Sequence, residues 1–254
     1  RTDGRALDED DLVLLETLAP RLAVLIGRYE GLLDETDHFR LLRDTLRTTT
    51  PVGHVRRETL QGVCREICLA AGRRLGLVGE DIGRLAFALR FYDVGLEEVP
   101  GGVLRQPGPL TEIQQRMVRG HIHASLRLLA PLDPDPVVNR PILHHHENFD
   151  GTGYPDGLAG EAIPVGARLI RLADTLESML TERPGREAMT LDAALDEIRE
   201  ETGRLFCPRL TGFFLAEVHE HRDRLLALQT VRESVAGLIR QTHAGRPMVG
   251  GRVG

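Results

Sequence analysis

Apolar residues recur three and four positions apart along most of the chain, and the alternation expected of strands is scarce. From Asp8 to about Leu46 the run DEDDLVLLETLAPRLAVLIGRYEGLLDETDHFRLLRDTL keeps this helical period, with Pro20 as a kink point, and RTTTPVG ends it. A second helix is predicted with Leu60, Val63, Cys64, Ile67, Ala71 and Leu75 on one face, and a third from Glu80 to Tyr92. The stretch VGLEEVPGGVLRQPGPL is non-helical. Thr111 and Gln114 then form a capping box for a helix that carries Ile113, Met117 and His121 on one face, until PLDPDP stops it. Another helix leads into LHHHENFDGTGYPDG, a glycine loop follows, and Pro164 is the expected first residue of the helix that holds Asp174. Two further helices, LDAALDEIREETG and FCPRLTGFFLAEVHEHRDRLLAL, have charge-rich faces suited to solvent, and GRPMVGGRVG reads as a disordered tail. No internal repeat is visible, and the expected class is all-α.

With 254 residues the chain is long enough for one large domain or two small ones. No apolar run approaches the roughly 20 residues of a membrane span, and no signal-peptide pattern opens the chain, so a cytoplasmic protein is expected. The first residue is Arg1 rather than Met, which leads us to expect a further domain upstream. A net charge of −6 argues against binding of a nucleic-acid polymer, for which a basic surface dominates affinity. Every one of the 32 basic residues is arginine. Schiff-base and lysine-base mechanisms are thereby excluded, and arginine is left as the phosphate clamp, a role its planar fork suits. Cys64, Cys68 and Cys207 are odd in number and lack a CxxC spacing, so they indicate neither a disulfide framework nor a cysteine zinc site. Cys64 and Cys68, one turn apart in an apolar stripe, read as core packing.

Three consecutive histidines at 144–146 are weak evidence of a metal taken alone, since surface histidine runs also occur. Their company strengthens the case. His121 falls on an apolar helix face, and Asp174 sits within LIRLADTLESML beside Ile170 and Ala173. A buried carboxylate costs several kcal/mol unless a counter-charge or metal offsets it. A hydrogen-bonded core histidine and an arginine-paired aspartate are the plain alternatives; together the residues favour a metal in a helical bundle, where ligands from different helices converge.

HHENFDGTGYPDGLAGEAIP, with LTEIQQRMVRGH around His121, ARLIRLADTLESMLTERPGR around Asp174 and the later GRLFCPRLTGFF, resembles the signature of the HD-GYP family of HD-type metal phosphohydrolases over about Thr48 to Phe214. The resemblance implies an HD-type helical bundle that binds two or three metals, often iron or manganese, and hydrolyses cyclic di-GMP. It implies His54, Asp93, His121, His145, His146 and Asp174 as metal ligands, with Asp93 catalytic and His144 a neighbour rather than a ligand. It also implies that Tyr154, Arg183 and Arg186 contact the nucleotide. The chemistry agrees: a phosphodiester is an anion and water a poor nucleophile, and metal ions address both.

Three positions depart from the family. The histidine of the His-Asp pair is Tyr92, the lysine three residues beyond the aspartate is Leu96, and a glutamate four before His54 is Thr50. Asp93, His121, His145 and His146 would still hold one ion. The second position would keep His54, Asp93 and Asp174 beside Tyr92, which we expect not to ligate, with phenolate ligation as the alternative. Two readings follow. One is a cyclic di-GMP phosphodiesterase, slow or altered, with one or two iron or manganese ions. The other is an inactive module that binds a cyclic dinucleotide or a diguanylate cyclase domain and transmits a signal. GRALDEDDLVLLETLAPRLAVLIGRYEGLL resembles the end of a GAF domain running into its exit helix, which implies a sensor joined to the catalytic domain and a homodimer paired through that helix. The expected divisions are 1–47 for the sensory end and connecting helix, 48–225 for the HD-GYP domain, and 226–254 for a final helix and tail.

Overall fold

The computed structural model describes residues 60–132, 136–183 and 185–230. The GAF-like segment with its exit helix and Pro20, the positions Thr50 and His54, and the C-terminal tail lie outside the described residues. Within them the regular structure is helical and contains no named strand. We label the helices α1 (Leu60–Leu75), α2 (Glu80–Phe91), α3 (Gly101–Leu104), α4 (Glu112–Arg119), α5 (His121–Leu129), α6 (Pro136–Leu143), α7 (Val165–Met179), α8 (Leu191–Glu200) and α9 (Pro208–Glu220). The class is all-α, as the apolar period implies, and none of the described helices is long and apolar enough to cross a membrane.

The core is built from the predicted stripes. On α1, Leu60, Val63, Cys64, Ile67 and Ala71 are buried, and Leu75 is part-buried against the same cluster. The thiol of Cys68 donates to the carbonyl of Leu169 at 3.2 Å, and all three cysteines are buried, none of them in a disulfide. At the end of α1, Leu77 N–H reaches Gly72 O (3.0 Å) and Gly76 N–H reaches Arg73 O (2.9 Å). That pair of bonds is a Schellman ending, and it requires the left-handed φ of 101° that Gly76 adopts. Two acids in the first turn of α2, Glu80 and Asp81, meet the positive end of the helix dipole and pair with Arg84 at 2.9 and 3.0 Å.

Helix α7 runs through the core, with Leu169, Ile170, Leu172, Ala173 and Leu176 inaccessible or nearly so. It packs against α1, α6, α8 and α9, and more lightly against α2. Pro164 caps α7 one residue before the expected start, within the ordinary uncertainty of a helix end. The capping box at α4 forms as predicted, with Gln114 N–H on Thr111 Oγ1 (3.3 Å) and Thr111 N–H on Gln114 Oε1 (2.9 Å).

Two predictions are corrected. The stretch after Asp93, read as non-helical, contains a 3₁₀ helix at Val94–Glu98 and the single turn α3 at Gly101–Leu104, short enough to fit between its prolines and glycines. Ile113, Met117 and His121 do not share an apolar face: Ile113 is 64% and Met117 42% exposed, whereas His121 is 2% exposed. The helix is not continuous. Gly120 N–H is shared between the carbonyls of Arg116 and Met117, and this tight junction separates α4 from α5. The step-of-four relation holds only along an unbroken helix, so α4 stays on the surface while His121 enters the core.

Candidate metal centre

Four side chains converge where α2, α5 and α6 meet. Asp93, His121, His145 and His146 each offer one ligand atom, and those atoms all lie within 4.8 Å of one another. Asp93 Oδ1 is 3.2 Å from His121 Nε2 and 3.4 Å from His145 Nε2, and the two Nε2 atoms are 3.4 Å apart. Ligands about 2.1 Å from a common ion stand about 3.0–3.4 Å apart in tetrahedral or octahedral arrangement, so three of the spacings match a coordination shell.

Each ligand atom is aimed by its own backbone. His121 begins α5 and His145 follows the end of α6; their Nδ1 atoms lie 2.6 Å from Val118 O and 2.7 Å from Ile142 O. An N–H donated from Nδ1 leaves the lone pair on Nε2, facing the cluster. Asp93 is delivered by the turn of 3₁₀ helix at Val94–Glu98, which lies directly on α5. Gly95 makes that approach possible: a Cβ there would stand 2.1 Å from His121 O and 2.4 Å from Ser125 N. Gly95 N–H donates to Ser125 Oγ (2.8 Å), and the Ser125 hydroxyl donates to Tyr92 O (2.8 Å), locking the turn to the helix.

The glycine loop folds over the third histidine. A Cβ on Gly153 would fall 2.3 Å from Asn148 N and 2.6 Å from His146 O, so the loop backbone can close only with glycine there. Tyr154 stacks on His146 with ring centroids 4.9 Å apart and planes at 20°, and the Arg119 guanidinium lies 4.8 Å from the tyrosine ring. His144 faces away from the cluster, with Nδ1 on Arg140 O (2.8 Å) and Nε2 on the Asp156 carboxylate (3.0 Å). Glu147, also buried, accepts from Asp156 N–H at 2.8 Å and so holds the loop from beneath.

Electrostatics follow from this geometry. Burial acts to raise the Asp93 carboxyl, but hydrogen bonds from His121 and His145 outweigh it and hold the group below the usual carboxylate range. For His121, burial pulls the imidazole down, and the hydrogen bond and charge of Asp93 override it, leaving the value raised. Burial, helped by neighbouring His145, pushes His146 down to about 2, so it is a neutral donor. Asp174, on α7, is raised by burial and then by the charge of Asp93. It is not one of the four mutually close ligands; it lines an adjoining cavity of about 410 Å³ with Arg171, Thr175, Ser178 and Arg186.

Tyr92 is buried and sets its ring edge against His145, with centroids 5.0 Å apart. Burial first, then the charges of Asp174 and Asp93, raises its hydroxyl far above the ordinary tyrosine value, so it is a neutral phenol. Arg183 and Arg186 lie exposed on a turn closed by two reciprocal backbone hydrogen bonds of 2.9 Å. Arg186 Nη2 donates to the Ser178 carbonyl and to its hydroxyl, the latter at 3.2 Å. Sequence reasoning missed Arg119, Gly95 and Arg171. Only Arg171 carried a signal, as a charge three residues before Asp174 in an otherwise apolar run.

Comparison with known proteins agrees with this architecture. A family model described as HD domain matches residues 40–210. The chain is 41% identical over 149 residues to the cyclic di-GMP phosphodiesterase response regulator RpfG of Xanthomonas campestris, a match covering 56% of this chain and 38% of that protein. It is 30% identical over 163 residues to a cyclic di-GMP phosphodiesterase of Thermotoga maritima, covering 58% of this chain and 43% of the relative. A 3'3'-cGAMP-specific phosphodiesterase 3 of Vibrio cholerae is 36% identical over 128 residues, 50% of this chain and 28% of the relative. The chain thus spans less than half the length of each of these relatives. Among solved structures, the cyclic GMP-AMP specific phosphodiesterase V-cGAP3 of V. cholerae superposes with a TM-score of 0.51 at 20% identity, over 74% of this chain and 49% of that one. Bd1817, an HDGYP protein of Bdellovibrio bacteriovorus, gives a TM-score of 0.51 at 15% identity, over 84% and 73%. At such identities the likeness is one of fold. With a family match across most of its length and a helical bundle of the same kind, the chain belongs to the HD domain family.

Proposed function

We propose that the chain is a metal-dependent phosphodiesterase of HD-GYP type, acting slowly on cyclic di-GMP or a related cyclic dinucleotide. The convergence of Asp93, His121, His145 and His146 carries the reading. One carboxylate and three imidazoles suit iron or manganese. A divalent ion held there supplies Lewis acidity at the scissile phosphate and makes water nucleophilic near neutral pH. Asp93 contributes the negative charge of the set and lies within reach of both His121 and His145. Arg186, which lines the cavity beside Asp174, and Arg183 on the same exposed turn would hold phosphate oxygens by charge-assisted hydrogen bonds. Tyr154 offers its hydroxyl, whose pKa burial raises to about 12, as a neutral hydrogen-bonding group toward the nucleotide.

A second ion would draw on Asp174, Asp93 and His54, the last outside the described residues. Where the family has an imidazole, Tyr92 presents a neutral phenol, a poor ligand. That observation favours the second reading, an inactive module that binds a cyclic dinucleotide, or a diguanylate cyclase domain, and passes on a signal.

Hydrolysis of cyclic di-GMP by protein loaded anaerobically with iron or manganese separates the two. Slow, metal-dependent turnover that Asp93→Ala abolishes is expected, and Tyr92→His should raise kcat/KM by roughly 100-fold or more, since a catalytic ion contributes several kcal/mol. Turnover by Tyr92→His alone would assign the wild-type chain to the inactive class. Absence of turnover in both proteins would overturn the phosphodiesterase reading.

A further inference from the structure

We infer that Arg171 is a substrate-positioning residue whose guanidinium grips a phosphate of the cyclic dinucleotide beside the metal cluster; this rests on the phosphodiesterase reading above. Arg171 lies on α7, three residues before Asp174, and lines the cavity of about 410 Å³ that Arg186 also lines. Arg171, Asp174, Thr175 and Ser178 follow one another at helical spacing, so a single face of α7 forms this wall. Arg171 stands at one end of that face. Arg186, hooked to Ser178, stands at the other, about 10 Å along the helix axis.

The guanidinium is poorly satisfied as it stands. A guanidinium has five N–H donors, and Arg171 makes one side-chain hydrogen bond among the described residues, from Nη2 to Asn148 Oδ1 at 3.1 Å. Its Nε is buried with no partner. No described carboxylate comes close enough to form an ion pair with it. A part-buried cation left with spare donors costs free energy unless an anion completes it. Burial accordingly lowers the pKa of Arg171, and the charge of Asp174 only partly restores it.

The geometry points to a phosphate as that anion. Two guanidinium groups face one cavity in a chain that contains no lysine, and the charges of Asp93 and His145 act on Asp174 in its wall. A cyclic dinucleotide carries two phosphates, so one can meet the cluster while the other is forked by an arginine.

The competing role is structural, with Arg171 merely anchoring the glycine loop through Asn148. Binding of a hydrolysis-resistant phosphorothioate analogue of cyclic di-GMP to manganese-loaded protein distinguishes the two, with manganese affinity and melting temperature measured alongside. Arg171→Gln should weaken analogue binding roughly 10- to 100-fold, the range for a hydrogen bond to a charged group, and leave manganese affinity unchanged. Arg171→Lys should recover part of the loss, and it carries the test if the glutamine variant does not fold. Asn148→Ala, which removes the loop anchor but keeps the cation, should bind nearly as wild type. Equal binding by wild type and both Arg171 variants overturns the assignment, as does a loss in Asn148→Ala equal to that of Arg171→Gln. Wild-type protein that takes up manganese but binds no analogue overturns the phosphodiesterase reading itself, and Arg171 falls with it.

Discussion

His121 and His145 each commit Nδ1 to a backbone carbonyl, so each can present only Nε2 to Asp93. Without metal, a proton on His121 satisfies that contact, which is why its pKa is raised. The sign of the linkage follows. The protonated His121–Asp93 pair stabilises the metal-free fold at pH values below the ordinary histidine value of about 6.5, and this contribution is lost as pH rises through the raised value. An incoming cation must displace the same proton. Manganese affinity is therefore expected to fall by about tenfold per pH unit below the raised His121 value and to level off above it. Isothermal titration between pH 6 and 9 would show the bend; a flat profile would mean that His121 is no ligand. His146, neutral throughout this range, adds no slope. The histidines were readable as candidates from the letters, because HHH together with a histidine on an apolar helix face favours a shared partner over separate explanations. Which nitrogen each ring presents was not readable, since that depends on carbonyls three residues upstream in folded helix ends.

Among the helices, α4 shows how a correct local signal can mislead. Its capping box was legible, because Thr111 and Gln114 act on backbone within one turn. Its apolar positions were not assignable, because burial is decided by what packs against a face. Ile113 and Met117 are exposed, whereas Ile122, one residue into α5, is buried. We expect Ile113→Gln and Met117→Gln to change stability by less than about 0.5 kcal/mol. Ile122→Ala should cost about 2–5 kcal/mol through the cavity it leaves. Urea denaturation of the three variants checks the contrast, and a large loss in either glutamine variant would restore the continuous apolar face.

For the molecule as a whole, the four donors tie α2, α5 and α6 together through one point. A cation bound there acts as a cross-link between elements that otherwise meet through apolar contacts. Ligand present at 100 times its Kd stabilises the folded state by about 2.7 kcal/mol, which for a domain of this size raises Tm by about 5–10 °C. Scanning calorimetry with manganese and then with excess chelator should show a shift of that order, and Asp93→Ala should abolish it. A shift that survives Asp93→Ala would place the metal elsewhere.

The sequence by itself determined the helical class, the helix that holds Asp174 and the cap at Thr111, because each is written in neighbours one or two turns apart. Only the tertiary structure decided that four donors from three separate stretches meet within 4.8 Å, and that Asp174 stands to one side of them beside a cavity. It alone brought Arg171 into that wall with donors to spare. The reason is physical: propensities and caps act over a few residues, whereas the approach of Asp93 to His121 depends on Gly95 lying flat against a helix that begins 26 positions later in the chain.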